Sequence, residues 1–421
     1  MRSIHDPYAA LRYRNYRLFT IGGNVAVIGS QMTAVAVGWE LYARTGQAIS
    51  LAWVGLVHAL PVIVLALPAG HLADRLNRRR ILLTGLSIII LCSLGLAAIS
   101  HANGPLYLYY LCIFVSSIAG TYSGPARGAI LPQLVPPELL INAVTWNSSV
   151  FQVAAMVGPA LGGGIYALES KAAPVYLCDA ACSLTFLTLL ALIRIGGDGS
   201  GHAASRRAEP ANLRTLIAGL RFVWEKQIIL ATITLDLFAV LLGGAVSLLP
   251  IYAKDILHVG PHGLGLLRAA PSAGAFMMAI TLAHRPPLRK AGAALLWAVA
   301  GFGAATIVFG FTRFFWLSML MLFLTGAFDN ISVVVRHTLV LTLTPDEMRG
   351  RVNAVNNVFI SASNDLGAFE SGVVAQLFGP VVSVVSGGVG TILVVILTAV
   401  LWPEIRRFGP LGTGGHRTPA A

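Results

Sequence analysis

Apolar residues in this chain come in long runs, and polar positions gather in the short stretches between them. Each run is far longer than a core strand, and most reach the ~20 residues that an α-helix needs to cross a bilayer. The pattern predicts twelve helices, near 17–43, 49–72, 81–100, 105–125, 142–168, 173–195, 227–253, 263–283, 291–311, 314–342, 354–378 and 380–402. Runs as long as 314–342 tilt or extend beyond the hydrocarbon. The first run has no cleavage pattern and is too long for a signal-peptide core, so it reads as a retained span. The predicted fold class is all-α and integral to the membrane.

Composition agrees with that solvent. The chain is 56% apolar and 11% charged over 421 residues, against about 25% charge in soluble proteins. Forty-four glycines suit helices that approach one another closely in lipid. Lys and Arg are split unevenly between the two sets of loops. The side holding the N-terminus and the even-numbered ends carries about 23 of them, from Arg2 to Arg417. The other side carries Arg44, Lys171, Lys254 and Arg313. The positive-inside bias puts both termini in the cytoplasm. A multi-pass protein of a bacterial-type inner membrane is the expectation. The net charge of +12 then reflects contact with anionic lipid, with no nucleic-acid partner. Cys178 and Cys182 lie one helical turn apart beside Asp179. They lack a completing ligand set and read as packing, with no metal or other cofactor expected.

The chain also repeats itself. Residue n set beside n+209 pairs Arg127 with Arg336, Pro136 with Pro345, Glu138 with Glu347, Asn147 with Asn356, Gly158 with Gly367 and Gly163 with Gly372. One residue further out of register, Asp74-Arg75 aligns with His284-Arg285. Two parallel six-helix copies follow, related by an axis along the membrane normal. The expected division is a first bundle over 1–195, a cytoplasmic linker over 196–226, a second bundle over 227–403 and a tail over 404–421. Leu213, Leu216, Ile217, Leu220, Val223 and Trp224 recur at helical spacing in the linker and predict an amphipathic helix on the membrane face.

The loop between the second and third spans reads Gly70-His71-Leu72-Ala73-Asp74-Arg75-Leu76-Asn77-Arg78-Arg79-Arg80. Its basic residues suit a cytoplasmic anchor. The acid among them can accept charge-assisted hydrogen bonds, and the glycine permits close helix approach. This spacing resembles the corresponding loop of the major facilitator superfamily. A narrower likeness is carried by Pro125-Ala126-Arg127, Leu131-Pro132, Pro136-Pro137-Glu138, Gly158-Pro159-Ala160-Leu161-Gly162-Gly163 and the run from Thr344 to Val352. These stretches resemble the drug/proton antiporter branch that includes enterobactin-type siderophore exporters and macrolide-efflux-like proteins. The resemblance implies that Gly70, Asp74, Arg75, Arg78, Arg79 and Arg80 lock the cytoplasmic side in the outward-open state. The chain departs from the pattern at Asn77, where relatives usually have Gly, and at Leu341, where they often have Gln. The fourth span has no mid-helix Arg, Arg127 coming only at its end.

Ionisable groups at membrane depth are costly and are functional candidates by default. Asp329 and Arg336 share a face of the tenth span but lie ~10 Å apart along its axis, so each needs another partner or water. Asp236 is central in the seventh span. Asp365 continues a stripe with Asn353, Asn357 and Ser361, and Glu370 is about 140° further round the same helix. The first half contributes Asn24, Gln31, Glu40, Asn147, Gln152 and Asp179, and Arg268 sits early in the eighth span. Proton coupling or substrate contact is the functional reading for Asp329, Asp236 and Asp365. A structural hydrogen-bond role is the alternative. Glu40, Asp179 and Arg268 are near enough to an interface to reach water or headgroups. Pro159 predicts a kink at which the Ala155 carbonyl loses its partner, beside a close-packing face of Gly158, Gly162 and Gly163.

No phosphate-loop motif is present, so ATP is not the energy source read here. No zinc-protease or paired-acid signature points to an enzyme. The expectation is a monomeric secondary transporter exchanging protons for an amphipathic small molecule, a drug-like compound or siderophore, by rocking of its halves. An importer or facilitator of a metabolite shares the fold, and direction of flux separates the two.

Overall fold

The computed structural model describes residues 6–193, 220–286, 290–407 and 409. Twelve long helices account for most of them, and the predicted runs coincide with these to within a few turns. The first half contains α1 (Arg14–Thr45), α2 (Ile49–Arg75), α3 (Arg78–His101), α4 (Leu106–Ile130), α5 (Leu140–Glu169) and α6 (Ala173–Leu192). The second contains α7 (Gln227–Leu242), α8 (Gly260–Ala283), α9 (Ala291–Phe311), α10 (Phe315–Leu343), α11 (Asp346–Phe378) and α12 (Pro380–Leu401). Eleven spans among the described residues are long and apolar enough to cross a membrane. The exception, α11, is diluted by the polar stripe that includes Asn364, Asp365 and Glu370. The protein is a multi-pass membrane protein.

Turn chemistry fits these boundaries. α1 stops at Gly46, which adopts φ +62, a conformation that costs other residues a Cβ clash. Gly379 at φ +91 separates α11 from α12, which opens on Pro380. Asn77, the departure from the loop pattern, caps α3. Its Oδ1 accepts from the backbone N–H groups of Arg79 and Arg80 at 3.0 and 3.3 Å.

The seventh span differs from the unbroken 227–253 predicted. The α-helix ends at Leu242, Gly243-Gly244 interrupts it, and the chain continues through short segments with 3₁₀ and π character to Ile256. Two glycines weaken helical continuity, and the apolar run carries no sign of the break. Gly244 sits against α11 at the Gly367 carbonyl. The predicted linker helix lies largely outside the described residues. The helical turn described at 220–225 ends before Lys226, with Val223 buried and Trp224 exposed.

The helices form two bundles whose packing follows one plan. α1 packs on α5 and α6 as α7 packs on α11 and α12, and α4 packs on α2 and α3 as α10 packs on α8 and α9. The halves meet along α5–α8 and along α2–α11. Repeat-related glycines make both sets of contacts. Gly158 and Gly367 pack against α1 and α7 within their own halves, while Gly163 and Gly372 pack against α8 and α2 of the other half.

The helix ends that carry the N-terminal segment and the arginine-rich loops form a basic end. Among the described residues, contact between halves concentrates at the opposite end. There one apolar cluster joins Val35, Tyr42 and Leu51 to Leu248, Tyr252, Leu264 and Ala375. The remaining clusters each belong to a single half. Among the described residues, the halves are joined at the opposite end and no apolar cluster joins them at the basic end.

Candidate functional site

Polar side chains at membrane depth fall into three groups: those locked within the first half, those within the second, and those crossing between halves. Glu40 belongs to the first. It was expected near enough to an interface to reach water, but it is buried, and its carboxylate accepts hydrogen bonds from Tyr109, Ser100 and Tyr176 at 2.7 to 2.8 Å. Asp179 is buried likewise and accepts from Ser93 and Thr33 at 2.7 and 3.1 Å. Both carboxylates tie helices of one bundle together. Asn24 donates to the Thr20 carbonyl at 2.7 Å, and its buried Oδ1 has no partner among the described residues. Gln31 packs its Cβ near Gly158, and Gly162 lies against Met32. Asn147 is partly buried near the basic end of α5.

In the second half, Asp236 of α7 and Arg336 of α10 form a buried ion pair. Arg336 thus finds its partner on another helix, as its distance from Asp329 required. Asp329 has no hydrogen-bond or ionic partner among the described residues. It opens with Asp236 and Ser332 into a narrow crevice lined by Ala239, Val240, Val299, Phe302 and Phe328. A carboxylate in so apolar a setting lacks the charge compensation that Asp236 enjoys.

The third group crosses the seams. His58 Nδ1 of α2 lies 2.9 Å from Asp365 Oδ2 of α11. Tyr42 donates its hydroxyl to Asp255, and the Lys254 ammonium sits 5.3 Å from the Tyr42 ring centre. The Ile49 N–H donates to Gln376 Oε1 at 3.1 Å. The Tyr42, Lys254 and Gln376 contacts belong to the closed end, and the His58–Asp365 pair lies further in along α2 and α11. Reading the chain missed His58, Tyr42 and Asp255. His58 carried the signal, being ionisable in the middle of a predicted span. Glu370 is turned away from this seam and, among the described residues, accepts from the neighbouring Ser371 hydroxyl at 3.3 Å. Ser361 is exposed, and the side chains of Asn353 and Asn357 lie outside the described residues.

At the basic end, Arg78 donates to the Ala129 carbonyl at 3.5 Å and Arg79 to the Ala191 carbonyl at 2.8 Å, both within the first half. Arg75 and Arg80 are exposed and Gly70 is partly buried. The Asp74 side chain lies outside the described residues. No described side chain of the loop bridges the halves in this open state. Arg127 lies in the last turn of α4, at the end of the span as expected, against Gly23 and 5.6 Å from the Phe186 ring centre. The α5 segment carries Pro159 within the helix, its carbonyl facing Gly265 of α8.

This arrangement has recognisable company. An enterobactin exporter EntS from Citrobacter koseri is 26% identical, covering 93% of both chains. EntS from Shigella boydii is 27% identical over 80% of both. Among solved structures, a bacterial homologue of the iron transporter ferroportin in its inward-facing state superposes with a TM-score of 0.71 at 15% identity, covering 94% of this chain and 99% of that one. The nucleoside transporter NupG gives 0.72 at 11% identity, covering 92% and 100%. The pattern of the transmembrane secretion effector family matches residues 5–407. With that match over nearly its whole length, the chain belongs to the transmembrane secretion effector family of major facilitator transporters.

Proposed function

We propose that this transporter is a proton-coupled exporter of an amphipathic small molecule, working as a monomer by alternating access. Both termini face the cytoplasm of an inner membrane, by the Lys/Arg bias. The structure is then open to the cytoplasm and closed to the outside. The observation that carries the reading is the α2–α11 seam, where the titratable His58–Asp365 pair joins the two halves. Proton exchange there changes the charge balance of the contact that holds the outer side shut. The unpartnered Asp329 supplies a second carboxylate able to take up and release a proton as its crevice opens. Relatives named as exporters support the outward direction.

Inverted membrane vesicles test this. They are loaded with a pH gradient and challenged with lipophilic cations, macrolides and siderophores. Cargo-dependent collapse of the gradient is expected in the wild type and lost in Asp329→Asn. Collapse that survives both Asp329→Asn and Asp365→Asn contradicts the assignment of these groups. Uptake driven in the reverse sense favours an importer.

A further inference from the structure

The two seams between the halves are built alike but carry different charges. On α2, a methyl group at Gly55 would lie 2.8 Å from the Asp365 carbonyl oxygen of α11. One turn on, His58 meets the Asp365 carboxylate. The 210-residue offset that aligns Asp74-Arg75 with His284-Arg285 places Gly55 on Gly265 and His58 on Arg268. Gly265 of α8 packs on α5 at Gly163 and at the Pro159 carbonyl, so the glycine half of the arrangement is kept. The acid is not. The 209-residue offset of α5 and α11 sets Met156 where Asp365 stands, and α5 has no acidic residue between Leu140 and Leu168.

Arg268 therefore repeats the cation without its counter-ion. The outward side of α8 is marked by Met277, 55% exposed, and Ile280, 41% exposed. At about 100° per residue, Arg268 lies about 180° from the first and about 120° from the second, so it faces the interior. Leu264, one turn away, is fully buried in the cluster that joins the halves. Arg268 is partly buried, and its neighbours Leu267 and Ala270 belong to the same cluster. Among the described residues it has no carboxylate, hydrogen-bond acceptor or aromatic ring as partner. Arg336, the other arginine well inside a span, is engaged by Asp236, and Arg127 at the basic end of α4 lies against the Phe186 ring. A guanidinium kept at this depth without compensation is costly, and its planar fork matches an oxyanion.

We infer that Arg268 binds the anionic group of the cargo, so that the exported solute is an amphipathic anion bearing a carboxylate or similar oxyanion. The inference rests on the export reading above and names the substrate class of that cleft. The cargo anion takes, on the α5–α8 seam, the place that Asp365 takes on the α2–α11 seam.

Purified full-length protein is tested with three matched probes: 2-naphthoate, neutral 2-naphthamide and cationic 2-naphthylmethylammonium. Binding is read by thermal shift in detergent and transport in proteoliposomes. The expected result is selective stabilisation by naphthoate, weakened about thirty-fold or more in Arg268→Gln and partly retained in Arg268→Lys. Met156→Asp supplies the missing counter-ion and removes the naphthoate response while leaving the fold monodisperse. Naphthoate binding unchanged in Arg268→Gln, or no naphthoate binding by folded wild type, overturns the inference. Wild-type transport of the ammonium probe in preference to naphthoate, unchanged in Arg268→Gln, overturns it too, but leaves export standing. Anion binding lost in Arg268→Gln but without flux in either direction keeps the site and removes the export reading.

Discussion

Glu40, Asp179, Asp236 and Asp329 are all carboxylates inside membrane-spanning helices, and they differ in what the protein places around them. Glu40 is held by three hydroxyl donors and Asp179 by two, Asp236 by a guanidinium, and Asp329 by no described partner. Asp236→Asn leaves Arg336 buried with no counter-ion and should cost about 3–5 kcal/mol of stability. Adding Arg336→Met should restore most of the loss, which thermal melts in detergent can read. Glu40→Gln keeps the volume but turns an amide N–H₂ toward a hydroxyl donor, and should cost about 1–3 kcal/mol while leaving coupled flux intact. Asp329→Asn should show the reverse, a melt close to wild type and a loss of cargo-driven proton flux. The presence of these residues at depth was legible in the chain, but their partners were not. Tyr176 is 136 positions from Glu40, and Arg336 lies 100 beyond Asp236, so only the packed bundle assigns them.

Helix boundaries were readable because hydropathy and turn residues punctuate them together, as at Gly46, Asn77 and Gly379-Pro380. The break at Gly243-Gly244 was not, since hydropathy stays high through it while the backbone changes pattern. The glycines of α5 show how much finer the structural reading is. Gly158 and Gly162 serve α1 of the same half, whereas Gly163 serves α8 of the other. A methyl group at Gly163 would lie 2.8 Å from Gly265 Cα, so Gly163→Ala forces two backbones apart at the closed end. We expect this variant to fold and to favour the state open at that end. A cysteine at Ala375, buried in the cluster joining the halves, should then react faster with a membrane-impermeant maleimide applied from that side. Unchanged reactivity would show that the seam tolerates the methyl group and that its glycines do not set the closure.

For the whole molecule, the repeat written in the chain predicted two like bundles, and their packing pairs match helix for helix. The conformation was not predictable in that way. One sequence must encode both the open and the closed arrangement, and the contacts of each are stable only in their own state. The asymmetry between seams was hidden for a related reason. His58 and Arg268 are equivalent only once the structure shows which helices meet. The central claim is that the halves rock, one end opening as the other closes. Electron–electron distance measurement tests it directly, on protein whose native Cys92, Cys112, Cys178 and Cys182 have been replaced. One label pair goes on Ile141 and Ala283 at the basic end of α5 and α8, the other on Leu168 and His262 at the opposite end. The account predicts a long basic-end distance and a short opposite-end distance in the state described here. Protonation or cargo should shorten the first and lengthen the second together. Two distances that stay fixed, or that change in the same direction, would contradict it.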